Sequence, residues 1–166
     1  MLARRPVRPV RVASLKADLD RRPNGVVYVR SPEPLGPYPR RVTDRLEHWA
    51  ARTPEHIFLA QRGLDGQWQT TNYAQALARV RRLARGLLDN GLSEQKPLII
   101  LSGNSVEHAL LALAAMYAGI PYAPIAPAYS LAVEDFTALS YVWQNLGPAM
   151  VFVDEGAKFE RSLKAV

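Results

Sequence analysis

The chain has 166 residues, of which 48% are apolar and 22% charged, a balance typical of a globular protein of about one domain. That composition excludes a wholly disordered, collagen-like or low-complexity chain. The sequence has no cysteine, which excludes disulfide scaffolds, thiolate zinc sites and cysteine nucleophiles. The absence of cysteine is compatible with the cytoplasm, where we expect the protein to lie.

The net charge of +6 is concentrated in the first quarter of the chain. Residues 1–41 hold ten basic and three acidic side chains, a balance of +7, and residues 42–166 hold eleven basic and twelve acidic ones, a balance of −1. DNA-binding domains usually spread their basic residues over one folded face, and the sequence has no helix-turn-helix, zinc-finger or RNP signature. We therefore predict no nucleic-acid partner.

A basic, Pro-rich N-terminal extension with a hairpin is predicted over residues 1–41, which hold seven of the 13 prolines. Residues 1–11 are expected to be an extended arm, because their prolines prevent a helix. Asn24-Gly25 lies between two extended runs, which is a typical signal of a β-hairpin. Residues 31–39 are predicted to be a linker.

A second region, residues 42–166, is predicted to begin with a helix whose apolar stripe is Val42, Leu46, Trp49 and Ala50. Two short extended runs around residues 63–66 predict another hairpin. Asn72 is then expected to cap a long amphipathic helix that stops at Gly91.

Three β-type runs with helices between them follow: Leu98–Leu101, Tyr122–Ile125 and Met150–Val153. Their starts are 24 and 28 residues apart, which is the spacing of βαβ crossovers, and continuous apolar strands are typical of a sheet covered on both faces. The predicted fold class is therefore α/β: the first part of an open, mostly parallel, doubly wound sheet with helices on both faces, plus N-terminal β-hairpins.

The first connecting helix is predicted to run from Ser105 to Ala118, with Asn104 as its N-cap and Glu107 completing a capping box. The helix is apolar on nearly every face, so it should be buried. At 14 residues it is too short to cross a membrane, and no membrane span is predicted.

The next helix carries an apolar stripe formed by Phe136, Leu139, Trp143 and Leu146, and a last helix carries Phe159 and Leu163. The acidic pairs Glu134-Asp135 and Asp154-Glu155 fall at helix starts, where the helix dipole accounts for them. The sequence ends inside a helical pattern that should lead to a fourth strand, and a sheet cut there would have an unpaired edge. We therefore expect the chain to be a truncated form.

The turn Ser102-Gly103-Asn104-Ser105 is the strongest candidate for a binding site, because it follows a buried strand and opens a helix. Backbone N–H groups in that position can bind an anion, at the sheet edge where open α/β folds place ligands. The alternative is a plain turn with an N-cap, which the lack of a G-x-G-x-x-G or Walker A pattern favours.

The remaining polar candidates point to structural roles. His48, His56 and His108 do not have the spacing of a zinc-binding helix, so no metal site is predicted, and His108 is expected to be a solvated side chain. The nucleophile elbow G-x-S-x-G is absent.

Three arginines at positions 79, 82 and 85 form either a phosphate patch or, as we predict, a solvated helix face. The larger aromatic side chains are expected in the core: Trp49, Tyr73, Tyr117 and Trp143. The residues by themselves therefore identify no catalytic residue and no metal ligand, and they leave any cofactor-binding residue unknown.

Two ordered segments nevertheless resemble the motifs of a known family. Trp68–Tyr73, followed by a long amphipathic helix, resembles the first core motif of the AMP-forming acyl-CoA synthetases, which belong to the adenylate-forming superfamily. Ala115–Pro124 resembles the second. Arg30–Tyr38 and Pro124–Ser130 resemble bacterial feruloyl-CoA synthases in particular.

This resemblance implies an ATP-dependent carboxylate–CoA ligase that works in two steps. A carboxylate attacks the α-phosphate of Mg-ATP to give an acyl-adenylate and pyrophosphate, and the thiol of coenzyme A then displaces AMP. The implied partner is a small carboxylic acid, aromatic in character, such as ferulate or a related hydroxycinnamate. ATP, Mg²⁺ and coenzyme A are the implied cofactors of the full-length enzyme.

The family's Ser/Thr/Gly-rich loop ending in Lys does not occur in the sequence, and the family motifs that do occur are chiefly structural. We therefore expect an N-terminal fragment that includes an incomplete AMP-binding domain over residues 42–166, is inactive alone and binds no cofactor tightly. The alternatives are a self-standing, non-catalytic α/β small-ligand or interaction module, or a short nucleotide-binding protein that uses the turn at residues 102–105. The sequence leaves the oligomeric state open.

Overall fold

A computed structural model describes residues 16–166, and the chain divides between Tyr38 and Pro39 into two compact units. The extended arm predicted for residues 1–11 lies outside the described residues.

The first unit contains the predicted hairpin. Strands β1 (Asp18–Arg21) and β2 (Val27–Arg30) pair in antiparallel fashion. The turn between them closes through a hydrogen bond from the Gly25 N–H to the Arg22 carbonyl at 3.0 Å. Residues 31–38 form neither helix nor strand, as predicted for a linker.

The second unit holds five α-helices and five strands among its residues. The helices are α1 (Thr43–Arg52), α2 (Tyr73–Asp89), α3 (Val106–Ala118), α4 (Thr137–Leu146) and α5 (Gly156–Lys164). The strands are β3 (Ile57–Arg62), β4 (Trp68–Asn72), β5 (Leu98–Leu101), β6 (Tyr122–Ile125) and β7 (Met150–Val153).

A three-stranded parallel sheet in the order β6-β5-β7 forms the centre of this unit. Leu98 lies opposite Tyr122 on one side and Met150 on the other. All four residues of β5 are buried, because that strand has a neighbour on each edge and helices on each face. The parallel βαβ arrangement predicted from the strand spacing is confirmed.

The two faces of the sheet carry separate apolar clusters. Alternate side chains of a strand point to opposite faces, so Leu98 and Ile100 join the cluster formed with α2 and α3. Ile99 and Leu101 pack with Leu139 of α4 and with Phe159 of α5. Helices therefore cover both faces, which confirms the doubly wound α/β prediction.

The strands β3 and β4 form the second predicted hairpin, and α2 follows it directly. The Asn72 side chain accepts a hydrogen bond from the Gln75 N–H at 2.8 Å, and the Gln75 side chain accepts one from the Asn72 N–H at 3.1 Å. This reciprocal capping box satisfies two N–H groups that the helix leaves free and confirms Asn72 as the cap of α2.

The start of α3 differs from the prediction. Ser105, not Asn104, is the N-cap, since its hydroxyl accepts a hydrogen bond from the His108 N–H at 3.0 Å. Glu107 consequently completes no capping box. The Val106 N–H bonds to the Gln61 side chain at 2.8 Å, so a contact with the hairpin fixes where this helix begins.

The side chains of the predicted apolar stripes are buried in the middle of the helices but exposed at the helix ends. On α1, Leu46 is buried but Val42 is 67% exposed. Trp49 is 39% exposed, so its assignment to the core was wrong. Leu146, at the end of α4, is also exposed.

The other three aromatic side chains are half-buried and pack against the core as predicted: Tyr73, Tyr117 and Trp143. Along residues 16–166, no helix combines the length and apolar character needed to cross a membrane.

Candidate functional site

The three parallel strands all end on the same side of the sheet, its carboxyl end, where open α/β folds place ligands. β5 leads into the turn at residues 102–105, β6 into a 3-10 turn at Pro127–Tyr129 and β7 into Asp154. Polar groups that follow adjacent strands are therefore brought close together.

Protein acceptors already occupy N–H groups at the turn after β5. The Gly103 N–H donates to Asp154 Oδ2 at 3.3 Å, the Val106 N–H to Gln61 and the His108 N–H to Ser105. One of these acceptors is a carboxylate, which would repel a second anion. The geometry therefore favours a plain turn with an N-cap over a site for a nucleotide phosphate.

Ser102 and His108 form a side-chain pair beneath this turn. Ser102 Oγ lies 2.9 Å from His108 Nδ1 and also donates to the Gly103 carbonyl at 3.1 Å. The separation would suit a nucleophile and its base, but Ser102 is only 3% exposed. The pair therefore braces the turn, and His108 is half-buried rather than solvated as expected.

The acidic residues at the helix starts have specific partners that the dipole argument did not identify. Asp154, which follows β7, accepts a hydrogen bond from the Gly103 N–H, which follows β5. Glu155 pairs with Lys158. Asp135 accepts a hydrogen bond from the Thr137 N–H at 2.8 Å. The hydrogen bonds from the Thr137 side chain and backbone lower the pKa of Asp135.

A second polar cluster, which the sequence did not reveal, joins α1, α2 and α3. Glu47 Oε1 accepts hydrogen bonds from the Tyr117 hydroxyl at 2.7 Å and from Arg81 Nη2 at 3.0 Å. Arg81 Nε also donates to the Tyr117 oxygen at 3.1 Å. Hydrogen bonds from Tyr117 and then Arg81 lower the pKa of Glu47, so the carboxylate is held in its charged form.

The three arginines considered as a phosphate patch have different surroundings. Arg85 pairs with Asp89 at 2.8 Å, and Arg79 lies 3.6 Å from Glu107. Arg82 is exposed. Within residues 16–166, no group of three or more histidine, aspartate or glutamate side chains is placed to hold a metal ion.

Comparison with known proteins identifies a family and several relatives. The model of the family described as AMP-binding enzyme matches residues 46–166. Surfactin synthase subunit 1 of Bacillus subtilis is 31% identical over 97 residues, which are 57% of this chain and 3% of that protein. A protein of Salinispora arenicola assigned as a non-canonical nonribosomal peptide synthetase is 34% identical over 93 residues, 56% of this chain and 1% of its own length.

Solved structures share the fold of the chain. The fatty acid AMP ligase from Legionella pneumophila has a TM-score of 0.60 at 19% identity, over 68% of this chain and 19% of that one. A protein of Rhodopseudomonas palustris assigned as a long-chain-fatty-acid CoA ligase has a TM-score of 0.57 at 26% identity, over 68% of this chain and 26% of that one. The chain therefore spans a small part of each of these relatives.

Proposed function

This chain belongs to the AMP-binding enzyme family, and from that premise we propose that it forms the first part of the adenylate-forming domain of an acid-activating ligase. The observation that carries the proposal is the family match over residues 46–166, which coincides with the sheet and both of its helical layers. The match also favours a ligase over a non-catalytic module.

The proposed reaction converts a carboxylate and ATP into an acyl-adenylate and pyrophosphate. A carboxylate is a poor electrophile, and the adenylate supplies AMP as a leaving group. The charge that develops on the phosphates needs cations or N–H donors in fixed positions. Because the Gly103, Val106 and His108 N–H groups at the turn after β5 already have protein acceptors, one of them a carboxylate, we assign phosphate binding to the family's Lys-containing loop, which this sequence does not include.

Within this proposal, the acid is ferulate or a related hydroxycinnamate and the acceptor is coenzyme A. The resemblance of Arg30–Tyr38 and Pro124–Ser130 to feruloyl-CoA synthases supports the acid. Similarity to a protein assigned as a CoA ligase, at 26% identity, supports the acceptor.

A second candidate function has support from the peptide synthetase relatives, which are 31% and 34% identical to this chain. A peptide synthetase joins amino acids, so the activated acid would then be an amino acid instead of a hydroxycinnamate. The adenylation step is the same in both cases.

Two measurements test these functions. The DNA that follows the Val166 codon should encode a Ser/Thr/Gly-rich loop ending in Lys, and a continued frame without that loop would contradict the ligase. The protein of that whole frame, given Mg-ATP, coenzyme A and ferulate, should form feruloyl-CoA and AMP. Coniferyl alcohol, which has the ferulate ring and side chain without the carboxylate, is the matched control and should give no product.

A panel of acids separates the two candidates. Thioester formation from ferulate but not from the amino acids supports the first, and adenylation of amino acids alone supports the second. The 166-residue chain by itself should form no adenylate.

A further inference from the structure

A groove between β4 and α2, in the second unit, has no role in the function proposed above. It has a volume of about 410 Å³ and is lined by Thr70, Thr71, Gln75, Ala78, Arg79 and Arg82. Its walls therefore combine two guanidinium groups with hydroxyl and amide groups, and they include no carboxylate.

The arginines of α2 fall into two classes by their partners. Arg81 and Arg85 have carboxylate oxygens at 3.0 Å and 2.8 Å, so their charges are compensated. Arg79 has only a looser contact with Glu107 at 3.6 Å, and Arg82 has no ion pair or hydrogen bond with the described part of the chain. The two poorly compensated charges are those that line the groove.

The neutral groups of the groove are also available as donors. The Thr70 and Thr71 hydroxyls make no hydrogen bond within residues 16–166, and Thr70 is the exposed one of the two. The Gln75 oxygen is used in the capping box, which leaves its amide N–H₂ to donate. Donors thus outnumber acceptors in the groove.

From this arrangement we propose that the groove binds a phosphate group, either inorganic phosphate or a phosphate monoester, between Arg79 and Arg82. Guanidinium groups present paired N–H donors that match phosphate oxygens, and the exposed Thr70 hydroxyl can donate to a further phosphate oxygen. This site is separate from the adenylation chemistry, so either proposal can fail without the other.

Glu107, which lies 3.6 Å from Arg79, is an acidic group beside the site. It lines an adjoining groove of about 180 Å³ together with Arg79, Thr70 and Thr71. A bound phosphate must replace Glu107 as the partner of Arg79. Removal of the Glu107 charge should therefore strengthen binding.

The test is a titration of the 166-residue chain with sodium phosphate, and separately with glycerol 3-phosphate, followed by NMR of the arginine Nε–H groups at constant ionic strength. Saturable shifts at Arg79 and Arg82 are expected. Arg82→Gln should weaken binding about tenfold, since charge-assisted hydrogen bonds are lost. The matched control Arg85→Gln removes the same charge from the same helix and should change affinity less than about twofold.

Glu107→Gln should tighten binding several-fold. Equal weakening in Arg82→Gln and Arg85→Gln would overturn the proposal, because it would show only long-range attraction. Shifts that do not saturate would overturn it as well. Tighter binding of glycerol 3-phosphate than of phosphate would identify the ligand as an ester, and the reverse would identify it as the free ion.

Discussion

One carboxylate oxygen connects three helices of this protein. Glu47 Oε1, on α1, accepts from both Arg81 on α2 and Tyr117 on α3. The contribution to stability is modest, because Arg81 is exposed and solvent screens its charge. The hydroxyl of the half-buried Tyr117 is the stronger determinant, because its hydrogen bond is the largest cause of the lowered pKa of Glu47.

Replacement of Tyr117 by phenylalanine removes that hydrogen bond and keeps the ring. We expect Tyr117→Phe to lower the free energy of unfolding by about 1 kcal/mol at pH 7, measured by urea denaturation. Tyr141→Phe is the matched control, because Tyr141 is 68% exposed and should tolerate the same change.

The cost of Tyr117→Phe should also depend on pH. A carboxyl group whose pKa is lower in the folded chain stabilises the fold above its unfolded pKa, and that stabilisation is lost as the pH falls through the folded pKa. The difference between the two proteins should therefore shrink below the ordinary Glu47 pKa of 4.5. A difference that grows in acid would show that the hydroxyl does not stabilise the charged carboxylate.

At the scale of elements, glycines in the left-handed region follow three of the helices: Gly91 after α2, Gly119 after α3 and Gly147 after α4. Gly119 follows α3 with φ +72°, whereas Gly86 lies inside α2. A Cβ built at either position meets no atom within 4 Å, so sterically both sites have room and only the backbone conformation differs.

These two glycines should therefore respond in opposite directions to the same substitution. Gly119→Ala should destabilise the fold by about 1–2 kcal/mol, because a Cβ is strained in the left-handed conformation. Gly86→Ala should stabilise it by up to about 1 kcal/mol, because alanine has less entropy to lose in a helix. Thermal or urea unfolding measures both, and stabilisation by Gly119→Ala would contradict the described helix end.

How far the sequence predicts an element depends on whether local residues determine it. The strand Leu98–Leu101 and the cap at Asn72 follow from adjacent residues and are correct. The prediction of Asn104 as the cap of α3 was wrong, because Asn104 and Ser105 are both good N-cap residues and adjacent residues do not decide between them. The start of the helix is fixed by Gln61, which lies 45 residues before Val106 in the sequence and accepts a hydrogen bond from the Val106 N–H.

The polar contacts at the candidate site were even less accessible to sequence reasoning. Asp154 reaches Gly103 across 51 residues, and Tyr117 reaches Glu47 across 70. Neither pair has a local pattern, since adjacent strands or helices bring the partners together only after folding. The sequence did indicate the edge of the sheet where Asp154 and Gly103 meet, through the strand spacing.

At the scale of the whole molecule, helices on both faces of the sheet should make the two faces equally sensitive to lost volume. Ile99→Val and Ile100→Val remove one methylene from opposite faces, since each side chain is fully buried in its own cluster. Each should cost about 0.5–1.5 kcal/mol. The same change in Ile57, which is 63% exposed, is the control and should cost less than about 0.5 kcal/mol.

Urea unfolding of the three variants measures these costs. A negligible cost for Ile99→Val beside a normal cost for Ile100→Val would mean that only one face is covered. The packing of α4 and α5 against the sheet would then be contradicted.

We propose that this chain contributes to an enzyme that activates acids as adenylates. Exchange of labelled pyrophosphate into ATP tests it most directly, because exchange requires reversible formation of the acyl-adenylate and no thiol acceptor. The protein of the complete reading frame should catalyse exchange that depends on an added carboxylic acid, with ferulate among the acids that support it. Exchange that is absent with every hydroxycinnamate, fatty acid and amino acid would contradict the claim.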